Sequence, residues 1–208
     1  ALGGLGCAVA VQKYIEDPLL IAGYKFDLRV WVLLDMDLGL HMYKEGVLRL
    51  SAHRYKPNDL CDTFSHLTNH CIAARSKHFE SLVEGNEMFF DDFRRFLARA
   101  APDTDFDTHI LPQMRRQVLL TTQAAWHVLR GQNRGGAFQL YGFDFMLDAR
   151  CRLWLLEVNG APAAAERLRE QLAADIISLC IAPRFPADGP PDPHDFELIA
   201  PCSVLDGY

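Results

Sequence analysis

Apolar residues in this chain fall into short dense runs, broken by polar clusters, and into two longer stretches where they recur every three or four positions. The dense runs predict strands and the spaced ones helices. Ala8 to Ile15 reads as a buried strand ending in "QKYI", followed by the loop "EDPLLIAGY". Phe26 to Asp37 and Leu40 to Leu50 are rich in β-branched, aromatic and aliphatic residues and predict two strands around Gly39. A polar loop covers 51–64, turning at Pro57-Asn58-Asp59, and "HLTNHCI" is too short to assign. Asn86 to Ala100 predicts a helix, with Asn86 as cap, acids in the first turn and arginines in the last. Thr108 to Arg130 predicts a longer helix, with Leu111, Met114, Val118, Ala125 and Leu129 on one stripe and Gly131 as its stop. After the "NRGG" loop come two apolar runs within 139–159, then a helix over Ala163 to Ala182. There is no internal repeat. The fold class expected is α+β, with antiparallel sheets flanked by helices.

The segment "YGFDFMLDARCRLWLLEVNG" (141–160) has the form of a β-hairpin around Ala149 to Arg152. Asp148 then faces Leu153, Asp144 faces Glu157 and Gly142 faces Asn159. Opposite residues share a face, with Cβ atoms about 4.5–5.5 Å apart, and Glu157 and Asn159 share it by the two-residue period. Two carboxylates this close repel unless a proton or cation intervenes. Carboxylate and amide oxygens without thiolate or imidazole suit a hard ion such as Mg²⁺. A sheet rim bearing two solvated acids is the plainer alternative.

In "YKFDLRVWVLL", Lys25, Asp27 and Arg29 lie two apart and share one face, opposite Phe26, Leu28 and Val30. Arg49 on the next strand adds a cation. A solvent-facing side of an antiparallel sheet and a phosphate or carboxylate site both fit this pattern. The acids at 144 and 157 tilt the choice toward phosphoryl chemistry. His66, Thr68 and Asn69 in "HLTN" are read first as a capped turn.

Composition narrows the classes. Half of the 208 residues are hydrophobic, enough for a sizeable core, and the formal charge of −6 argues against a nucleic-acid binder. From Pro183 onward there is one basic residue against five acids, so 183–208 is expected to be an acidic, Pro-rich, disordered tail. Six cysteines without a CxxC pair read as reduced, mostly buried thiols. No apolar run nears the roughly 20 residues that span a bilayer. The apolar start lacks a basic n-region, so it is not read as a signal peptide. It also lacks an initiator Met, so a longer protein is expected.

The segments "QKYIEDPLL", "KFDLRVWVLL", "YKEGVLR", "HLTNHCI", "EGNEMFF", "FQLYGFDFMLD" and "WLLEVNGAPA" occur in one order at sensible spacing. Together they resemble the tubulin–tyrosine ligase family of ATP-grasp enzymes, from about Val11 to about Ala182. The resemblance implies ATP between two layers of antiparallel sheet, with 1–182 as the central and C-terminal part of the fold and its N-terminal part missing. Carried over by position, it implies that Gln12, Lys13, Tyr14 and Ile15 meet the adenine and that Lys25 and Asp27 contact the nucleotide. Arg29 and Arg49 would lie near the phosphates and acceptor carboxylate, and Thr68 and Asn69 on a nucleotide-side turn. Asp144, Glu157 and Asn159 would be Mg²⁺ ligands.

The implied reaction is ATP-dependent joining of free L-tyrosine to the terminal glutamate of α-tubulin, in the αβ-tubulin dimer, through an acyl phosphate. "EGNEMFF", "HLTNHCI" and "EVNGAPA" carry the tyrosine expectation. The rivals are a related ligase that adds glutamate or glycine, and an inactive truncated paralogue that binds tubulin. A cytoplasmic, cytoskeleton-associated protein is expected, with no nucleic acid and no membrane. An acidic substrate tail calls for a local basic patch, with Lys44, Arg49, Arg54 and Lys56 as candidates. Arg94, Arg95 and Arg99 read first as a solvated helix end.

Overall fold

The computed structural model describes residues 10–132, 136–185 and 192–206. Its strands are β1 (Leu20–Ile21), β2 (Tyr24–Leu34), β3 (Leu40–Arg54), β4 (Glu87–Phe89), β5 (Gln139–Leu147), β6 (Leu153–Asn159) and β7 (Phe196–Ala200). They form one antiparallel sheet in the order β4-β3-β2-β5-β6, with β1 on β2 and β7 on β3. The helices are α1 (Thr63–His66), α2 (His70–Ala73), α3 (Phe90–Ala100), α4 (Leu111–Gln132), α5 (Arg169–Ile176) and α6 (Cys202–Leu205). The α+β expectation holds. The two sheet layers implied for the nucleotide site appear, among the described residues, as this single sheet.

The central strand β2 is buried almost throughout, and its alternation assigns two jobs to two faces. Phe26, Leu28, Val30, Val32 and Leu34 face a core completed by Phe90, Phe93 and Leu97 of α3 and Met114, Val118 and Trp126 of α4. Fully burying each such side chain contributes roughly 1.5–3 kcal/mol. Phe93 stacks edge-on against Phe26, with ring centroids 5.5 Å apart. On the other face, Trp31 and Leu33 pack with Tyr43, Val47, Leu172 and Cys180 under α5 and the helical turns after it. The first half of that second face carries Lys25, Asp27 and Arg29 instead.

Several expectations are corrected. Over 10–15 the backbone is irregular, not a strand, and Ala8 and Val9 lie outside the described residues. Asn86 does not cap a helix: α3 starts at Phe90, and the Phe89 N–H donates to Asp92 at 3.4 Å. Asn86 is buried at φ 52°, accepting from the Glu80 N–H at 2.7 Å. The second helical stretch begins at Phe106, where the Asp105 carboxylate accepts the Thr108 N–H, and it continues past Gly131 to Gln132. The expected helix over 163–182 is helical from Glu166 to Arg184, but only 169–176 is regular α-helix. The disordered tail is also corrected. β7 pairs with β3, and Phe196, Ala200 and Leu205 are buried, while 186–191 lie outside the described residues. Of the five described cysteines, all free, Cys180 alone is buried.

The hairpin register agrees with expectation at its far end, where Asp144 faces Glu157 and Gly142 faces Asn159. Near the loop it slips by one, so Leu147, not Asp148, faces Leu153. The slip is a β-bulge that leaves Leu156 unpaired. This bulge resolves the odd composition of β6. In a regular strand, positions 153, 155, 157 and 159 would all share one face. The extra residue reverses the alternation, so Leu153 and Leu155 meet the core while Glu157 and Asn159 turn to the charged face.

Candidate functional site

Lys25, Asp27 and Arg29 are 5%, 2% and 8% exposed, so the solvent-facing alternative is excluded. Burial on this scale demands partners. Arg29 grips Asp144 with two parallel bonds, Nε to Oδ1 and Nη2 to Oδ2, each 2.6 Å. Arg49 is directly opposite Asp27 in the β2–β3 pairing and binds both of its carboxylate oxygens, Nε to Oδ1 at 3.1 Å. Its Nη2 also reaches Asp144 at 2.9 Å. Two guanidinium groups and two carboxylates therefore form one buried network with no net charge. Gly142 leaves the space for it, since a Cβ there would lie 2.6 Å from the Pro162 Cβ and 3.2 Å from the Arg29 Nε.

The two acids respond differently to this network. Burial pushes the Asp27 carboxyl up, against the opposing hydrogen bond and charge of Arg49. Burial acts on Asp144 too, but hydrogen bonds and charge from Arg29 and Arg49 outweigh it and hold Asp144 below the usual carboxylate range. Asp144 thus stays ionised, and Glu157 lies exposed beside it. The Asn159 amide bridges the pair, its Nδ2 donating to Asp144 at 3.4 Å and to Glu157 at 3.0 Å.

Among the described residues no group of three or more His, Cys, Asp or Glu side chains is arranged to hold a metal. The donor set at this spot is smaller and harder: two carboxylates opposite each other and one amide. That set fits Mg²⁺, which takes one or two protein carboxylates and fills its shell with water and phosphate oxygens. Rotating the Asn159 amide by half a turn would present its oxygen in place of the donor nitrogen.

The Lys25 end of the strand is built differently. The Lys25 Nζ donates to the Tyr14 hydroxyl at 2.9 Å and to the His66 carbonyl at 3.0 Å, and it lies 4.5 Å from the Tyr14 ring centroid. The Tyr14 hydroxyl also meets the His66 Nδ1 at 2.7 Å. Burial lowers the Lys25 ammonium to about 8. Gln12 donates to the carbonyl of Leu156, the bulged residue, at 3.0 Å. Thr68 is buried, and its hydroxyl eases the ionisation of Asp27. Lys13 and Asn69 are exposed and Ile15 is half-buried, and the structure does not bring their side chains into the network.

The chain matches the tubulin-tyrosine ligase family over residues 8–193. It belongs to that family. Relatives include tubulin glycylase 3C of Tetrahymena thermophila, 31% identical over 182 residues (82% of this chain, 17% of the relative). The human tubulin polyglutamylase TTLL7 is 32% identical over 169 residues (74% and 19%). The probable tubulin polyglutamylase TTLL9 of Mus musculus is 32% identical over 161 residues (76% and 34%). The chain therefore spans 17–34% of the length of these curated relatives.

In this family member a cavity of about 840 Å³ opens beside Arg29 and Arg49. Its further walls come from residues that the sequence reading passed over: Glu87 and Phe89 of β4, His70, and Arg167 and Arg169 after the "APA" turn. The available signal was "NEMFF", in which Glu87 and Phe89 lie two apart and so share a strand face. That stretch also reads as the start of a helix, which hid the three-residue strand. No described helix is long and apolar enough to cross a membrane.

Proposed function

We propose that the protein containing this chain is an ATP-dependent carbon–nitrogen ligase that adds an amino acid to a carboxylate of tubulin. The observation that carries the reading is the buried Asp27–Arg49–Asp144–Arg29 network, flanked by Lys25 on one side and by Glu157 and Asn159 on the other. Phosphoryl transfer from ATP to a carboxylate needs negative charge held in place more than it needs a nucleophilic side chain. Arg29 and Arg49 supply fixed guanidinium donors. Lys25, Tyr14 and Gln12 lie toward the nucleotide side. Asp144, Glu157 and Asn159 would hold Mg²⁺, which when bound neutralises phosphate charge. The amino group then attacks the acyl phosphate, forming the amide and releasing phosphate.

Glycylase and polyglutamylase names among the relatives support glycine or glutamate as the added amino acid more than tyrosine, which "EGNEMFF" and "EVNGAPA" suggested. The expected basic patch for the acidic tubulin tail has little support. Lys44, Lys56, Arg94 and Arg95 each pair with an aspartate. The test incubates full-length protein and tubulin with ATP and labelled glycine, glutamate or tyrosine in parallel. ATP-dependent label in tubulin from glycine or glutamate is expected. Label from tyrosine alone would restore the tyrosine ligase reading, and ATP binding without any incorporation would leave a tubulin-binding paralogue.

A further inference from the structure

Glu87 stands directly opposite Arg49 in the β3–β4 pairing and extends the charged belt of the sheet into the cavity. Opposite residues bring their Cβ atoms to about 4.5–5.5 Å. Its carboxylate receives no hydrogen bond among the described residues, and the nearest basic nitrogen, the His70 Nδ1, is 3.9 Å away. The other acids nearby are committed or open to solvent. Glu80 accepts the Gly85 N–H at 3.2 Å, Asp92 serves the start of α3 and Arg95, and Glu166 is exposed. In the same lining the Arg167 guanidinium lies 4.5 Å from the Phe89 ring centroid and has no carboxylate partner among the described residues. One cavity thus offers a carboxylate without a hydrogen bond beside Arg49 and, over Phe89, a guanidinium without a carboxylate partner, both among the described residues.

We infer that this cavity receives the free amino acid, with its α-ammonium on Glu87 and its α-carboxylate on Arg167. The inference rests on the ligase reading above. It places the amine next to Arg49, where the activated carboxyl group is held on that reading, and leaves the wall between Phe89 and Ala165 for the side chain. Burial raises the Glu87 carboxyl above its usual range, against the pull of the His70 and Arg49 charges, so an ammonium arriving there relieves an unfavourable buried charge.

Steady-state kinetics of the full-length enzyme test it, with whichever of labelled glycine, glutamate or tyrosine the wild type incorporates. Glu87→Gln and Arg167→Ala should each raise KM for the amino acid about tenfold or more, the loss expected when one charged partner is removed. KM for ATP and for tubulin should change less than about twofold, and the melting temperature should be unaltered. Should Glu87→Gln fold poorly, Arg167→Ala decides alone. A rise in KM for tubulin in place of the amino acid would assign the cavity to the acceptor chain and overturn the inference, as would unchanged constants. Absence of ligation in the wild type would instead defeat the ligase reading.

Discussion

Arg49→Met isolates the energetic role of the charged network. Asp27 is 2% exposed, and Arg49 donates to both of its carboxylate oxygens. Asp144 keeps its two-bond contact with Arg29, so the perturbation falls mainly on Asp27. Removing one partner of a buried pair costs about 3–5 kcal/mol, because the other charge is left in a medium that solvates it poorly. For a domain of this size each kcal/mol lowers the melting temperature by about 2–4 °C, so a fall of roughly 6–20 °C is expected. A second substitution, Asp27→Val in the same protein, removes the stranded charge and suits a strand, and it should recover most of the loss. The pH dependence gives an independent check. Without Arg49 the Asp27 carboxyl rises further above its unfolded value of 3.8. A raised carboxyl contributes stability below that unfolded value and loses it as pH climbs through the folded one. The deficit of Arg49→Met relative to wild type should therefore shrink as pH falls from 7 toward 4. Thermal and denaturant melting of the three proteins at several pH values measures both effects. A single variant within about 1 kcal/mol of wild type, or a double variant as unstable as the two single losses added, would refute the argument.

On the proposed reading, Glu157→Gln should abolish most ligase activity while leaving the melting temperature within about 2 °C, since Glu157 is exposed and, among the described residues, bonded only by Asn159; normal turnover at ordinary Mg²⁺ would remove Glu157 from the site. Burial lowers the Lys25 ammonium from 10.5 to about 8, so on the same reading kcat/KM for ATP should fall as pH rises through about 8. Over the window from about 8 to 10.5 the fold itself should gain stability, because the unfolded chain binds the proton that the buried lysine has lost. Lys25→Arg should move the activity fall to higher pH, and an unmoved profile would exclude Lys25 as its source. Gly142→Ala drives a methyl group toward Pro162 and Arg29 and should destabilise by about 1–3 kcal/mol, read by denaturant unfolding; a neutral result would mean that Arg29 can shift without loss.

The elements of the site were legible where a strict period carried the information. Lys25, Asp27 and Arg29 share a face because a strand alternates, and Asp144 meets Glu157 because a hairpin closes on itself. What escaped depends on partners far along the chain or on single residues. The bulge at Leu156 has no compositional marker; it shows only when the register at both ends of β6 is known. β7 is five residues long and follows a Pro-rich acidic stretch, and its partner β3 lies about 150 positions earlier. Strand β4 is three residues long and merges into a helix pattern, which concealed Glu87. The expected strand over 8–15 fails over its described part, where Gln12 and Tyr14 use side chains, not backbone, to reach β6, Lys25 and His66.

The parity of β2 explains why one strand can serve both core and chemistry. Alternation gives each face an unbroken row, and the second row changes character between Arg29 and Trp31. Trp31 and Leu33 are covered by the segment after "EVNGAPA", which fixes the sheet against α5 and brings Arg167 to the edge of the cavity. Lys25, Asp27 and Arg29 lie beyond that cover, where buried charge is tolerable only if it cancels. Asp27 and Asp144 cancel Arg49 and Arg29, so the guanidinium groups are held rigidly without a ligand's help. An anion entering beside them meets donors already aimed and has only to compete with carboxylates for them. On the proposed reading, the acids of the hairpin are therefore as necessary to the arginines as to the metal: they keep two cations buried, oriented and ready for phosphate.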